Sequence, residues 1–252
     1  MATVQRPRPT REIHYPTRDG KPMGETQLHR DEMMDTIQVL EDYYAAEPNV
    51  YVGGNLLLCY EEGNRRKHVS PDVFVVLGVP KEPKRENYLV WKEGRAPDFV
   101  TEITSKSTKN EDRTKKRDLY RDVLRVSEYF LFDPTEDYLD PPLQGFRLWR
   151  GKYIRIKDVD GRLPSRILGL HLEREGTKLR LFDPVSGVRL PTRSERADTA
   201  EHRAEAERQR AEAERQRAEA ERQRAEAAET ARRHDAEEME RLRREIEALR
   251  RG

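Results

Sequence analysis

Apolar positions recur along residues 25–192 with two periods, and a third pattern replaces both beyond them. Met33, Met34, Ile37, Leu40, Tyr43 and Tyr44 are spaced three and four apart, which predicts a helix over Gln27–Ala46, ended by Pro48. Short runs rich in Val, Ile and Phe, bounded by Pro and Gly, predict strands at Val50–Val52, Asn55–Tyr60, Val69–Leu77, Pro97–Thr104 and Val126–Asp133. A Pro- and Lys-rich polar segment, Val79–Ala96, separates the third of these from the fourth. A second helix is expected over Glu111–Leu124, with Ser107, Thr108 or Asn110 as its N-cap. Gly145–Ile156 reads as a hairpin around Arg150-Gly151-Lys152, and shorter strands continue to Leu190. This order predicts a mixed sheet with helices packed on it, an α/β or α+β domain over residues 25–192. Residues 1–24, rich in Pro and Arg without periodicity, are expected to be irregular.

Residues 193–252 are a different object. The heptapeptide Arg-Ala-Glu-Ala-Glu-Arg-Gln begins at Arg203, Arg210 and Arg217, an internal repeat of strong helix formers. Opposite charges three and four apart, such as Glu207 with Arg210 and Arg210 with Glu214, each support a helix by ~0.2–0.5 kcal/mol. One long helix is expected. Its seam alternates Ala204, Ala211 and Ala218 with Glu207, Glu214 and Glu221, a poor coiled-coil interface, whereas Met239, Leu242, Ile246 and Leu249 make an apolar one. Both a solvated single helix and a coiled coil closing near the C-terminus fit this pattern. Self-association or docking of a protein partner is the role expected of this arm.

Composition sharpens the division. The chain has 49 Lys and Arg against 48 Asp and Glu. The tail takes 16 and 17 of these, leaving 33 against 31 for residues 1–192, so no strong net field marks a polyanion ligand. The single cysteine, Cys59, reads as a small buried hydrophobe and cannot form an intrachain disulfide, which fits a reducing compartment. With no signal-like segment and no apolar run of membrane-spanning length, a cytoplasmic protein without membrane contact is expected.

The informative chemistry lies in two of the apolar runs. Asp72 sits in the run ending at Leu77, and Glu102 in the run Pro97–Thr104. A carboxylate inside a buried strand is costly unless a cation or hydrogen bonds compensate for its lost hydration. Two of them on neighbouring strands suit Mg²⁺, which takes hard oxygen ligands, usually one or two carboxylates with several waters. The backbone carbonyl of Ile103 could add a third ligand. Hydrolysis of a phosphodiester also needs a cation beside the scissile group or the nucleophile. Asp112, Lys116 and Tyr120 fall at i, i+4 and i+8 on one helical face, flanked by Leu119 and Val123, so a lysine there could reach the carboxylates along apolar surface. Lys115, one position round, competes for that role.

These residues resemble a known family. Ser70-Pro71-Asp72-Val73-Phe74-Val75-Val76, Pro97-Asp98-Phe99-Val100-Thr101-Glu102-Ile103-Thr104-Ser105-Lys106-Ser107-Thr108, the spaced triplet Asp112, Lys116, Tyr120, and Glu128-Tyr129-Phe130-Leu131-Phe132-Asp133-Pro134 are similar to the Uma2 endonucleases of the PD-(D/E)XK, restriction-endonuclease-like superfamily. The resemblance spans roughly residues 25–190. It implies a mixed-sheet nuclease core flanked by helices, Mg²⁺ dependence with Mn²⁺ as a substitute, and DNA as substrate. It also makes Asp72 and Glu102 the metal ligands and Lys116 the catalytic lysine. One departure stands out: the short E-x-K motif would place lysine at 104, where this chain has Thr104. The resemblance moves that lysine onto the helix as Lys116. Glu25 and His29 fall where the family tends to place polar site residues.

Blander roles compete for the same residues. Asp72 could cap a strand, Glu102 could pair with an arginine, and Lys116 could be solvated. His29 reads as a surface or hydrogen-bonded residue, and Asp98 as a strand-entry residue. Two functions follow. The first is a Mg²⁺-dependent endonuclease cutting DNA, with phosphate contacts from Lys106, Arg113, Lys115 and Arg117. The second is a catalytically inactive nuclease-like protein that binds nucleic acid or acts as a scaffold, displayed on a helical arm. A hydrolase of another phosphate ester is a weaker third.

Overall fold

The computed structural model describes residues 14–17, 26–106 and 108–251, with side chains of the last helix described as far as Ile246. The chain forms two compact units, Met1–Arg193 and Ser194–Gly252.

The first unit is built on a six-stranded mixed sheet. Its strands are β1 (Val50–Gly53), β4 (Val73–Leu77), β6 (Phe99–Ile103), β7 (Glu128–Phe132), β8 (Leu143–Trp149) and β9 (Lys152–Arg155), in spatial order β1-β4-β6-β7-β8-β9. Only β6 and β7 pair in parallel; the other neighbours are antiparallel. A parallel pair needs a long crossover. Here it is made by α3 (Lys109–Glu111), a π-turn (Asp112–Lys116) and α4 (Arg117–Asp122), which follow one another without a break. Helix α1 (Gln27–Tyr43) precedes β1. A three-stranded sheet joins β2 (Leu58–Cys59), β3 (His68–Val69) and β5 (Tyr88–Leu89), the last running into α2 (Val90–Glu93). A four-stranded antiparallel sheet joins β10 (Leu163–Pro164), β11 (His171–Glu175), β12 (Lys178–Asp183) and β13 (Val188–Arg189).

The pleat divides β6 between two cores. Phe99 and Ile103 join Val73, Val75, Leu40 of α1 and Leu170, Leu172 and Leu181 on one side. Val100 joins Phe74, Val76, Tyr120, Leu124 and Tyr129 on the other. Leu40 is fully buried, a burial worth roughly 1.5–3 kcal/mol relative to exposure.

Several expectations need correction. The run Val69–Leu77 is interrupted at Ser70-Pro71-Asp72, so Asp72 stands at the entrance of β4 and not within it. Pro71 has no N–H to give a ladder, and its carbonyl instead accepts from Asn55. The strand expected at Asn55–Tyr60 shrinks to Leu58–Cys59, while the polar segment 79–96 contains β5 and α2. On α1 the buried face is His29, Glu32, Met33, Thr36, Val39 and Leu40, whereas Met34 and Tyr43 are exposed. Polar residues share this face because Glu32 accepts the N–H of Leu179 at 2.9 Å and His29 reaches toward Asp72. The Gly145–Ile156 hairpin forms around Arg150 and Gly151, both at positive φ, the conformation a two-residue turn requires. Cys59 is buried.

From Ser194 on, the second unit is formed by helix α5, Arg193–Arg251, 59 residues and so about 88 Å long at 1.5 Å per residue. In successive repeats Gln209, Gln216 and Gln223 each donate to the Glu four residues earlier. Met239, Leu242 and Ile246 are exposed on it. No helix among the described residues is long and apolar enough to cross a membrane.

Candidate active site

Antiparallel pairing of β4 with β6 sets Val73 opposite Thr101, and one further step along that register sets Asp72 opposite Glu102. The hydrogen bonds follow this alignment. Asp72 Oδ2 accepts the N–H of Ile103 at 2.7 Å, and the N–H of Asp72 donates to Glu102 Oε2 at 3.3 Å. Glu102 has no solvent exposure, being central on a strand covered by the crossover helix. That helix supplies two donors from one stripe. Lys116 Nζ lies 2.8 Å from Glu102 Oε2, and Tyr120 OH donates to Glu102 Oε1 at 2.6 Å.

Two more groups complete the cluster. From α1, His29 Nε2 stands 3.4 Å from Asp72 Oδ1, with His29 itself buried. From the π-turn, Asp112 Oδ1 stands 3.1 Å from Lys116 Nζ. Asp72, Glu102, Lys116 and Tyr120 thus come together in one cluster. His29 also belongs here, although the surface was one of its expected places. Asp112, expected on the same helical face as Lys116 and Tyr120 but without a role in the site, joins it as the partner of Lys116.

Other expectations part from the cluster. Lys115 is exposed and turns away from it. Arg117 lies over the Phe146 ring at 4.4 Å and so packs on apolar surface, while Lys106 and Arg113 are exposed. Val123, expected to flank the face turned to the sheet, is 56% exposed because α4 ends at Asp122 and Val123 is its C-cap. Asp98 accepts the N–H of Leu77 at 2.8 Å, the strand-entry role expected of it. Thr104 is buried at the end of β6. Glu25 lies outside the described residues.

The electrostatics reflect crowding. Burial pushes Glu102 well above the usual carboxylate range; the Lys116 ammonium opposes this, and the charges of Asp72 and Asp112 add to it. Burial also raises Asp112, against Lys116 and the Thr108 hydroxyl. Asp72 goes the other way: burial would raise it, but His29, Lys116 and the Ile103 N–H together hold it below its ordinary value. Burial disfavours the charged form of Lys116, yet Glu102, Asp112 and Asp72 outweigh it and keep the ammonium protonated.

Three acids therefore face one lysine, and a further cation would relieve their repulsion. Among the described residues no three His, Cys, Asp or Glu side chains gather in metal-ligating geometry. An ion here would rest on Asp72 and Glu102, completed by backbone carbonyl and water. That all-oxygen donor set fits Mg²⁺ or Mn²⁺.

No curated protein matches the chain. Among solved structures it is similar to the one titled "Crystal structure of a putative nuclease belonging to DUF820 from Anabaena variabilis ATCC 29413", with 18% identity, covering 59% of this chain and 79% of that one at a TM-score of 0.44. The family model Uma2, described as "Putative restriction endonuclease", matches residues 7–172, most of the first unit and more than half of the chain. The chain belongs to the Uma2 family.

Proposed function

We propose that the protein is a Mg²⁺-dependent endonuclease that hydrolyses phosphodiester bonds of DNA, with Mn²⁺ able to replace Mg²⁺. The observation that carries this reading is the convergence of Asp72 and Glu102 from adjacent strands with the Lys116 ammonium 2.8 Å from Glu102. Family membership supports the reaction class. Asp72 and Glu102 would hold the ion, with the Ile103 carbonyl. In a strand the N–H and C=O of one residue leave on the same edge, and the Ile103 N–H points to Asp72. When bound, the ion supplies charge stabilisation to the attacked phosphate and acidifies water.

The chain's own groups do the rest. Glu102, held by Tyr120 and Lys116, is fixed in one rotamer. His29 orients Asp72 from the opposite side. Lys116 presents a permanent positive charge beside the carboxylates, where it can orient the attacking water or neutralise the phosphate. Exposed Lys106, Arg113 and Lys115 are placed on the segment following β6 to meet flanking phosphates. In the second unit, the apolar Met239, Leu242 and Ile246 suit self-association or a protein partner.

The test is nicking of supercoiled and linear DNA with Mg²⁺, Mn²⁺ or EDTA. Asp72→Ala, Glu102→Ala and Lys116→Ala should each abolish metal-dependent cleavage while circular dichroism stays native. Cleavage surviving in all three would remove these residues from the chemistry. DNA binding without cleavage in the wild type would favour the inactive, binding alternative.

A further inference from the structure

The helix carrying Lys116 is regular on both sides but loosens into a π-turn over Asp112–Lys116. A π-turn closes its hydrogen bonds five residues apart, is rare, and is frequent at functional sites. This one spans the two ends of an ion pair, Asp112 Oδ1 and Lys116 Nζ, 3.1 Å apart. At 3.6 residues per turn, each four-residue step of an α-helix advances by about 40°, so Asp112 and Tyr120 would stand about 80° apart on an uninterrupted helix. The looser winding takes back part of that advance and brings all three side chains onto one buried stripe. Asp112 and Tyr120 have no exposure, and Lys116 retains 13%. The turn is also anchored from the sheet, since Tyr129 OH donates to the Asp112 carbonyl at 2.9 Å.

We propose that Asp112 is a positioning residue, set by the π-turn to hold the Lys116 ammonium against Glu102, and that it serves the lysine and not the divalent ion. The proposal rests on the reading of Asp72, Glu102 and Lys116 as a nuclease centre. Lys116 has a flexible four-carbon stem and three donors. With Glu102 as sole partner the stem could swing toward solvent. Contact with Asp112 as well as Glu102 gives the ammonium two fixed anchors.

Two readouts test it, one independent of cleavage. The rate of Lys116 acylation by N-hydroxysuccinimide acetate, mapped by mass spectrometry, reports how firmly the ammonium is held. Asp112→Asn should raise that rate roughly tenfold, the size of effect expected for losing one charged partner. It should also lower kcat for nicking while leaving KM and Mn²⁺ affinity unchanged. Asp112→Glu should restore part of both. Unchanged labelling in Asp112→Asn, or loss of Mn²⁺ affinity in that variant, would overturn the proposal. A wild type that does not cleave DNA would defeat the nuclease reading alone, and the labelling would still decide whether Asp112 holds Lys116.

Discussion

Tyr120 and Lys116 divide the carboxylate of Glu102 between them, the phenol taking Oε1 at 2.6 Å and the ammonium Oε2 at 2.8 Å. A buried carboxylate needs such partners on both oxygens, because each lone pair left without a donor costs desolvation that nothing offsets. Tyr120→Phe keeps the ring packed against Tyr129 and removes only the donor. It should cost about 1–3 kcal/mol of stability and lower the nicking rate, read by urea denaturation and by single-turnover cleavage. Wild-type stability in this variant would mean that the bond contributes nothing.

Removing the cation should be worse than removing the pair. Lys116→Met leaves Glu102 and Asp112 facing each other without compensation, with an expected loss of about 3–5 kcal/mol. Lys116→Met combined with Glu102→Gln removes much of that repulsion and should recover part of the stability while remaining inactive. A double-mutant cycle by chemical denaturation measures the coupling, and additive losses would contradict it.

Gly54 is a backbone constraint on the site. A Cβ at this position would collide with Ile37 of α1 and with the carbonyl of Asp72, which is backbone and cannot swing aside. Gly54→Ala should therefore destabilise the fold by about 1–3 kcal/mol through overpacking and displace Asp72. The expected signature is a lower melting temperature with metal affinity reduced as well. A variant that binds Mn²⁺ as the wild type does would show that the Asp72 loop yields without consequence.

Away from the site, Glu173 on β11 carries an acid-sensitive part of the stability. Burial would raise its pKa, but hydrogen bonds and charge from Arg162 and Arg189 hold it below its ordinary value. Its folded pKa is lower than its unfolded one, so the stability it contributes is fully present above the unfolded carboxylate range of about 4.3. That contribution is lost as pH falls through the folded value. Glu173→Gln should accordingly be less stable than wild type at neutral pH, with the gap closing on acidification. Thermal melts from pH 7 to about 3 would show the convergence, and a constant gap would refute it.

Sequence periodicity alone settled a good deal. A short apolar run bounded by Pro located Glu102 within a buried strand, and a period near 3.6 put Asp112, Lys116 and Tyr120 on one helical face. These patterns are local, so they can be read without knowing what each element meets. What the chain could not disclose was everything that depends on docking between distant segments. The β4–β6 register sets Asp72 opposite Glu102, yet no local feature of either segment specifies it. The buried face of α1 leaves out Met34 and Tyr43 and takes in Glu32 and His29, which meet Leu179 and Asp72, far away in sequence. The π-turn that brings in Asp112 has no apolar signature, since it is stabilised by ion pairing with Lys116 and by Tyr129 from the sheet. Local periodicity determines which stretches form helices and strands that bury apolar surface; the exact buried face, as on α1, and which buried polar group meets which are decided by packing, because those partnerships are made across the fold.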